Sequence, residues 1–329
     1  MFKKYKKKIL LSAVFGAVIF LVFSIYADFD KLIVSLGQFN WYYFPLILGF
    51  SSCNYIARFY KWEYYRKIIG VNIKPGRSFL IFLSAFIMSV TPGKMGEVLK
   101  CYMVKDETGI PIAKTAPVIV AERLTDFISI VIICIAGAYV FNYGQAFILI
   151  TGVVFISGAF LLSSRKISLK FINALERIKF ISKYIHKVHE SYDSIYKLVQ
   201  IRELIIASIM SLVAWSFECM GFYIVLNVFS STTHIDVSFL SAFFIYGFST
   251  LVGAIAMLPG GLGATEASIT GLLVLLKIPK NVSVASTIII RVATLWFAVI
   301  IGVVAVMIYH KKTHHGLEEI ETPEMPEEA

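Results

Sequence analysis

Eight charged residues stand inside apolar stretches of the chain: Arg58, Glu97, Glu122, Arg123, Asp126, Glu218, Glu266 and Arg291. A charge at the centre of a bilayer costs roughly 2.5–3.5 kcal/mol on insertion scales, so each of these needs a partner or a task. Glu122 and Arg123 lie four and three residues before Asp126, which puts all of them on one helix face. Such a cluster can be an ion-pair lock or a contact for a charged substrate, and the spacing leaves both open. Arg291 and Glu266 pose the same choice, because they can simply neutralise each other.

Two breaks in the apolar pattern precede these charges. The first reads Ser89-Val90-Thr91-Pro92-Gly93-Lys94-Met95-Gly96-Glu97, and the second Ala256-Met257-Leu258-Pro259-Gly260-Gly261-Leu262-Gly263-Ala264-Thr265-Glu266. Both contain P-G-x-x-G, followed by a glutamate. Arg123 then comes 27 residues after Gly96, and Arg291 28 residues after Gly263. The stretches APVIVAERLTDFISIVIICIAG and ASTIIIRVATLWFAVIIGVVA also agree in pattern, so the chain carries an internal repeat. Glycine after proline allows a tight turn and leaves N–H groups open at the start of the next half-helix, where the positive helix end favours phosphate. The expected substrate-binding set is Gly93, Lys94, Gly96, Glu97, Arg123, Asp126, Gly260, Gly261, Gly263, Glu266 and Arg291. Arg58, Glu122 and Glu218 are expected to couple or to support it.

Other chemistry finds little footing. His186-x-x-His189 and the tail residues His310, His314 and His315 have no carboxylate or cysteine to complete a metal site. The sequence contains no Walker A loop, G-x-S-x-G elbow or H-E-x-x-H. No catalytic residue, metal or cofactor is expected.

The elements that must hold these residues are set by composition. Of 329 residues, 58% are hydrophobic and 16% charged, with a mean hydropathy of +0.77; a soluble domain carries about 25% charged residues. A polytopic all-α membrane protein follows, and a soluble enzyme, a secreted module or a disordered chain is excluded. The net charge of +10 conceals an acidic end: six of the 21 acidic residues lie in the last twelve positions, leaving 31 basic groups against 15 acidic before them. That excess reads as lysine and arginine anchoring cytoplasmic loops to anionic lipid, not as a nucleic-acid surface. Cys53, Cys101, Cys134 and Cys219 show no C-x-x-C spacing and are expected to be packing residues.

Apolar runs predict full spans over Ile9–Tyr26, Trp41–Tyr60, Ile112–Phe141, Ala146–Leu162, Leu204–Phe229 and Val282–Tyr309. Trp41, Tyr42 and Tyr43 form an aromatic belt, and Lys61, Arg66, Lys67, Lys74 and Arg77 return to the cytoplasm. Ser78–Thr91 is too short to cross, at about 21 Å of helix against a core of about 30 Å. With Lys94–Lys105 it predicts a re-entrant hairpin. Val237–Leu258 and Ala264–Leu276 predict a second, of opposite orientation, although its first arm is long enough to cross and eight spans would fit the same charges. The plan is one transmembrane domain over 1–310: a first repeat over about 41–162, a cytoplasmic amphipathic linker over 163–202 and a second repeat over about 203–310. An acidic disordered tail over 311–329 follows. The excess of basic residues in inner loops places both termini in the cytoplasm. Inverted repeats with broken helices are a common way to build a transporter site.

The motifs P-G-K-M-G-E-V-L-K-C-Y, A-E-R-L-T-D and L-P-G-G-L-G-A-T-E-A resemble the lysylphosphatidylglycerol synthase transmembrane-region family over roughly residues 5–310. The resemblance implies a bundle with two re-entrant elements that moves an aminoacylated phospholipid between leaflets of the plasma membrane. Its recurrent positions fall on the two glycine breaks, Glu97, Arg123, Asp126, Glu266 and Arg291. Bifunctional members add a large soluble aminoacyl transferase domain, which this sequence does not contain, so the chain is not expected to be an enzyme. A flippase for anionic or aminoacylated phospholipid is thus the leading expectation, with membrane lipids as partners. A polyprenyl-phosphate transporter would use the same anion site. A non-transporting partner of a separate lipid synthase or glycosyltransferase is the reading from another class, and a membrane-embedded enzyme the last.

Overall fold

A computed structural model of the chain describes residues 18–19, 21–91, 96–141, 144–163, 165 and 185–313, and every regular element among them is a helix. After a helical stretch at 21–26 come α1 (Phe29–Gln38), α2 (Phe44–Ile68) and α3 (Pro75–Ser84), the last continued by a 3-10 turn at Ala85–Met88. The chain then runs through α4 (Gly96–Thr108), α5 (Ile112–Phe141), α6 (Gln145–Ser163), α7 (Ile185–Leu198), α8 (Ile201–Thr233) and α9 (Phe239–Ile255). It ends in α10 (Ala264–Leu275), α11 (Lys280–Arg291), a π turn at Val292–Trp296 and α12 (Phe297–Thr313).

The chain is a polytopic helical membrane protein. Among the described residues, three helical stretches are both long and apolar enough to cross a bilayer: Gln145–Ser163, Ile201–Thr233 and Lys280–Lys311. Pro75–Met88 and Phe239–Ile255 are apolar but shorter. α2 and α5 have the length but carry the buried charges described below.

Several expectations need correcting. The segment between the first two expected spans, for which no element is expected, forms α1, whose apolar residues Phe29, Leu32, Ile33 and Leu36 repeat at helical spacing. The last span is not one uniform helix, because the π turn follows Arg291. The final helix reaches Thr313, past the expected start of the tail. Cys101, Cys134 and Cys219 are buried thiols, whereas Cys53 is exposed and packs no core. Residues 1–17, 166–184 and 314–329 lie outside the described residues, as do Pro92, Gly93, Lys94 and Met95 of the first break. Within the expected linker, α7 packs on α5 with Tyr192 and Ile195 buried, and Ser191 Oγ donates to the Ala113 carbonyl at 2.8 Å.

Helices α2 and α8 pack along each other, α9 packs on α5, and α12 packs on α3 and its 3-10 extension. Two large apolar cores result, with a small third of Ile87, Met88 and Val306 where α12 meets the 3-10 turn. One gathers Ile47, Ile130, Cys134, Phe222 and Phe244, and the other Trp62, Tyr65, Val118, Leu124 and Ala207. α2, α5 and α8 each pass from one core to the other, and their charged residues fall in between. The site is therefore a polar waist clamped by two apolar layers.

Candidate functional site

The waist is built first from α5. Asp126 Oδ1 accepts from Lys61 Nζ at 2.6 Å and from Ser211 Oγ at 3.0 Å, while Oδ2 accepts from Arg58 Nη2 at 3.0 Å. Arg123, one turn earlier, donates through Nε to Glu97 Oε2 of α4 at 2.9 Å and lies 3.9 Å from Asp126. On the same turn Glu122 Oε2 takes a hydrogen bond from Lys100 Nζ at 2.6 Å. Lys100 also lies 4.8 Å from the centre of the Trp62 ring, a cation–π position. α5 thus presents three charged side chains to cations and carboxylates on α2 and α4.

The second break is held differently. Gly260, Gly261 and Gly263 all adopt positive φ, which glycine takes without strain. Arg291 donates through Nε to Glu266 Oε1 at 2.6 Å and through Nη2 to the Gly260 carbonyl at 2.7 Å. Glu266 Oε2 accepts from the Gly263 N–H at 2.6 Å, so the start of α10 already carries its own anion. Further along the waist, Tyr246 Oη donates to Glu218 Oε2 at 2.7 Å. Tyr55 Oη donates at 2.8 Å to the carbonyl of Thr294 in the π turn.

One cavity of about 310 Å³ joins these parts. Its wall includes Arg58, Glu97, Lys100, Glu122 and Arg123 from the first half of the chain, and Glu218, Gly260, Gly261 and Arg291 from the second. Asp126 and Glu266 stand behind that wall and hold arginines that form part of it. Arg123 is the most open of the cationic groups paired here, at 23% side-chain exposure against 16% for Arg58 and 9% for Arg291. The breaks themselves approach: a Cβ on Gly260 would lie 3.4 Å from the Ser89 carbonyl oxygen. Met257 and Leu258 line the cavity while staying 73% and 39% exposed, giving it an apolar edge.

The structure therefore brings Arg58, Glu97, Glu122, Arg123, Asp126 and Glu218 to one side of this waist, with Gly260, Gly261, Gly263, Glu266 and Arg291 at the other. Gly96 opens α4. Gly93 and Lys94 lie outside the described residues. Lys61 overturns its expected place: it is not a cytoplasmic anchor but a side chain only 1% exposed, bonded to Asp126. The apolar run stops at Tyr60, but the helix continues to Ile68, so Lys61 stays on the interior face one turn below Arg58. The spacing of three from Arg58 was the available signal. Ser211, Tyr246 and Tyr55 carried none, since hydroxyls inside a span look alike in sequence. Among the described residues no group of three or more metal-ligating side chains gathers.

The family described as the lysylphosphatidylglycerol synthase TM region matches residues 9–302. A UPF0104 membrane protein of Methanothermobacter thermautotrophicus is 20% identical over 94% of this chain and 95% of its own length. Another match in that organism is 30% identical over only 96 residues, 29% of this chain and 28% of the relative. A UPF0104 membrane protein of Methanocaldococcus jannaschii is 23% identical over 68% of this chain and 93% of its length.

Proposed function

The chain belongs to the lysylphosphatidylglycerol synthase TM region family, and from that premise we propose that it is a lipid transporter. It moves an anionic or aminoacylated phospholipid between the leaflets of the plasma membrane, with both termini in the cytoplasm. One observation carries the reading: a single cavity has arginines from both halves of the chain on its wall and the apolar, exposed Met257 and Leu258 at its edge. A headgroup phosphate inside would take charge-assisted hydrogen bonds from Arg123 and Arg58 first, and from the N–H groups of Arg291 not engaged by Glu266 and Gly260. Glu97 and Glu218 on the same wall suit an amine on the headgroup, while the acyl tails leave past Met257 toward lipid.

A two-fold relation between the halves would suit alternating access. The helix packing supports that reading: α2 packs on α8, while α3 packs on α12 and α9 packs on α5.

Leaflet exchange in vesicles holding the purified protein tests this. Fluorescent phosphatidylglycerol, its aminoacylated form and a polyprenyl phosphate are compared against protein-free vesicles. The expected result is exchange of phospholipid that slows by about 10–100-fold in Arg123→Ala, the loss of one charge-assisted contact of about 1.5–3 kcal/mol. Arg291→Ala is expected to slow it too, through both the contact and the unfastened break. Exchange of polyprenyl phosphate alone would move the substrate to the glycan carrier lipids. Protein-free rates for all three would sink the transporter reading.

A further inference from the structure

Lys61 is surrounded by more oxygen than an ion pair requires. Its Nζ lies 2.6 Å from Asp126 Oδ1 and 2.6 Å from Ser211 Oγ, with the Glu122 carbonyl oxygen at 3.4 Å and Thr125 Oγ1 at 3.5 Å. An ammonium has three N–H donors and cannot bond four oxygens equally. A spherical cation has no such limit. One carboxylate, two hydroxyls and a main-chain carbonyl, all buried, are also the oxygen ligand types that hard cations take, and the two farther ones would have to close in on a bare ion. Ser211 completes the arrangement by donating its own proton to Asp126 while its oxygen faces Lys61.

We infer that Asp126, Thr125, Ser211 and the Glu122 carbonyl form a monovalent-cation site which the chain fills with its own Lys61 ammonium. The site joins α5 to α8 and is closed from α2 by the lysine stem. The side chain of Asp126, charged and enclosed, has a cation available at all times without drawing one from solution. The wild-type protein is accordingly indifferent to sodium and potassium at this position. Removing the tethered ammonium leaves the oxygens in place for a free ion. This inference does not depend on what the cavity carries.

Thermal unfolding of the purified full chain in detergent provides the test, in sodium, potassium or choline chloride at one ionic strength. Lys61→Ala is expected to melt below wild type in choline and to regain about 2 °C in sodium or potassium at ten times the dissociation constant. Wild type should show no difference among the three salts. Adding Asp126→Asn to Lys61→Ala should abolish the regain, which separates a site from a general salt effect. Lys61→Met fills the stem and leaves only the ammonium position vacant, so it is measured in parallel. Equal melting of both variants in all three salts overturns the inference. So does failure to recover either variant in sodium or potassium, because a competent site would take the salt cation.

Discussion

Lys100 and Glu122 meet at 2.6 Å with 4% of each side chain exposed, between α4 and α5. Two buried opposite charges gain little over an apolar pair, but one left alone is expensive. Glu122→Gln should therefore destabilise by about 3–5 kcal/mol, because the Lys100 ammonium would keep only the Trp62 and Phe82 rings and a neutral amide. The double variant Lys100→Met with Glu122→Leu should recover most of that loss in a detergent unfolding assay. A double variant no better than Glu122→Gln would mean that the pair has a value beyond mutual neutralisation. All four line the cavity, but Arg123 and Glu97 are the more open pair, at 23% and 16% side-chain exposure, so a ligand can compete for them.

At the scale of elements, glycines set how closely the second break packs. A Cβ on Gly253 of α9 would overlap Thr265 Oγ1 at the start of α10, and one on Gly261 would lie 2.7 Å from the same oxygen. Gly253→Ala should lower the unfolding temperature, while Gly253→Ala with Thr265→Ala should lower it less, since the obstructing oxygen is gone. If the double variant melts no higher than Gly253→Ala, the close approach is not what glycine provides. Elements of this kind were partly legible beforehand. The continuous apolar run from Ile112 to Phe141 gave α5 to the residue, and the charges at 122, 123 and 126 were visible on it. Their partners were not, because Lys61 and Ser211 lie 65 and 85 residues from Asp126 and meet it only through packing. α1 was hidden by Asp28, Asp30 and Lys31 scattered along a short amphipathic stretch. The π turn has no compositional mark, since Val-Ala-Thr-Leu-Trp serves an α-helix equally well.

For the molecule as a whole, the two arginine-bearing segments share a sequence pattern but not a charge. When Arg123 is set against Arg291, Asp126 falls on Thr294 and Glu122 on Ile290. The first half therefore supplies most of the ionised waist, and the second closes its break with one ion pair, Arg291 and Glu266. Besides α2 on α8 and α9 on α5, α12 joins the halves, and its Gly302 lies so close to Ile87 of the first half that a Cβ would overlap its backbone nitrogen. The π turn between Arg291 and α12 accommodates one residue more than an α turn would, so this stretch has slack in chain length. Deleting Val292 from it should heal the segment into plain α-helix, keep Gly302 against Ile87 and give monodisperse protein, at the loss of the bond from Tyr55. Deleting Ile300, also exposed but in regular helix, should swing everything after it by about 100° and turn Gly302 away. Equal yields from both deletions would refute this. Protein recovered from the Val292 deletion alone would mark the last span as one in which a deletion survives at five positions, Val292 to Trp296, and not just beyond them.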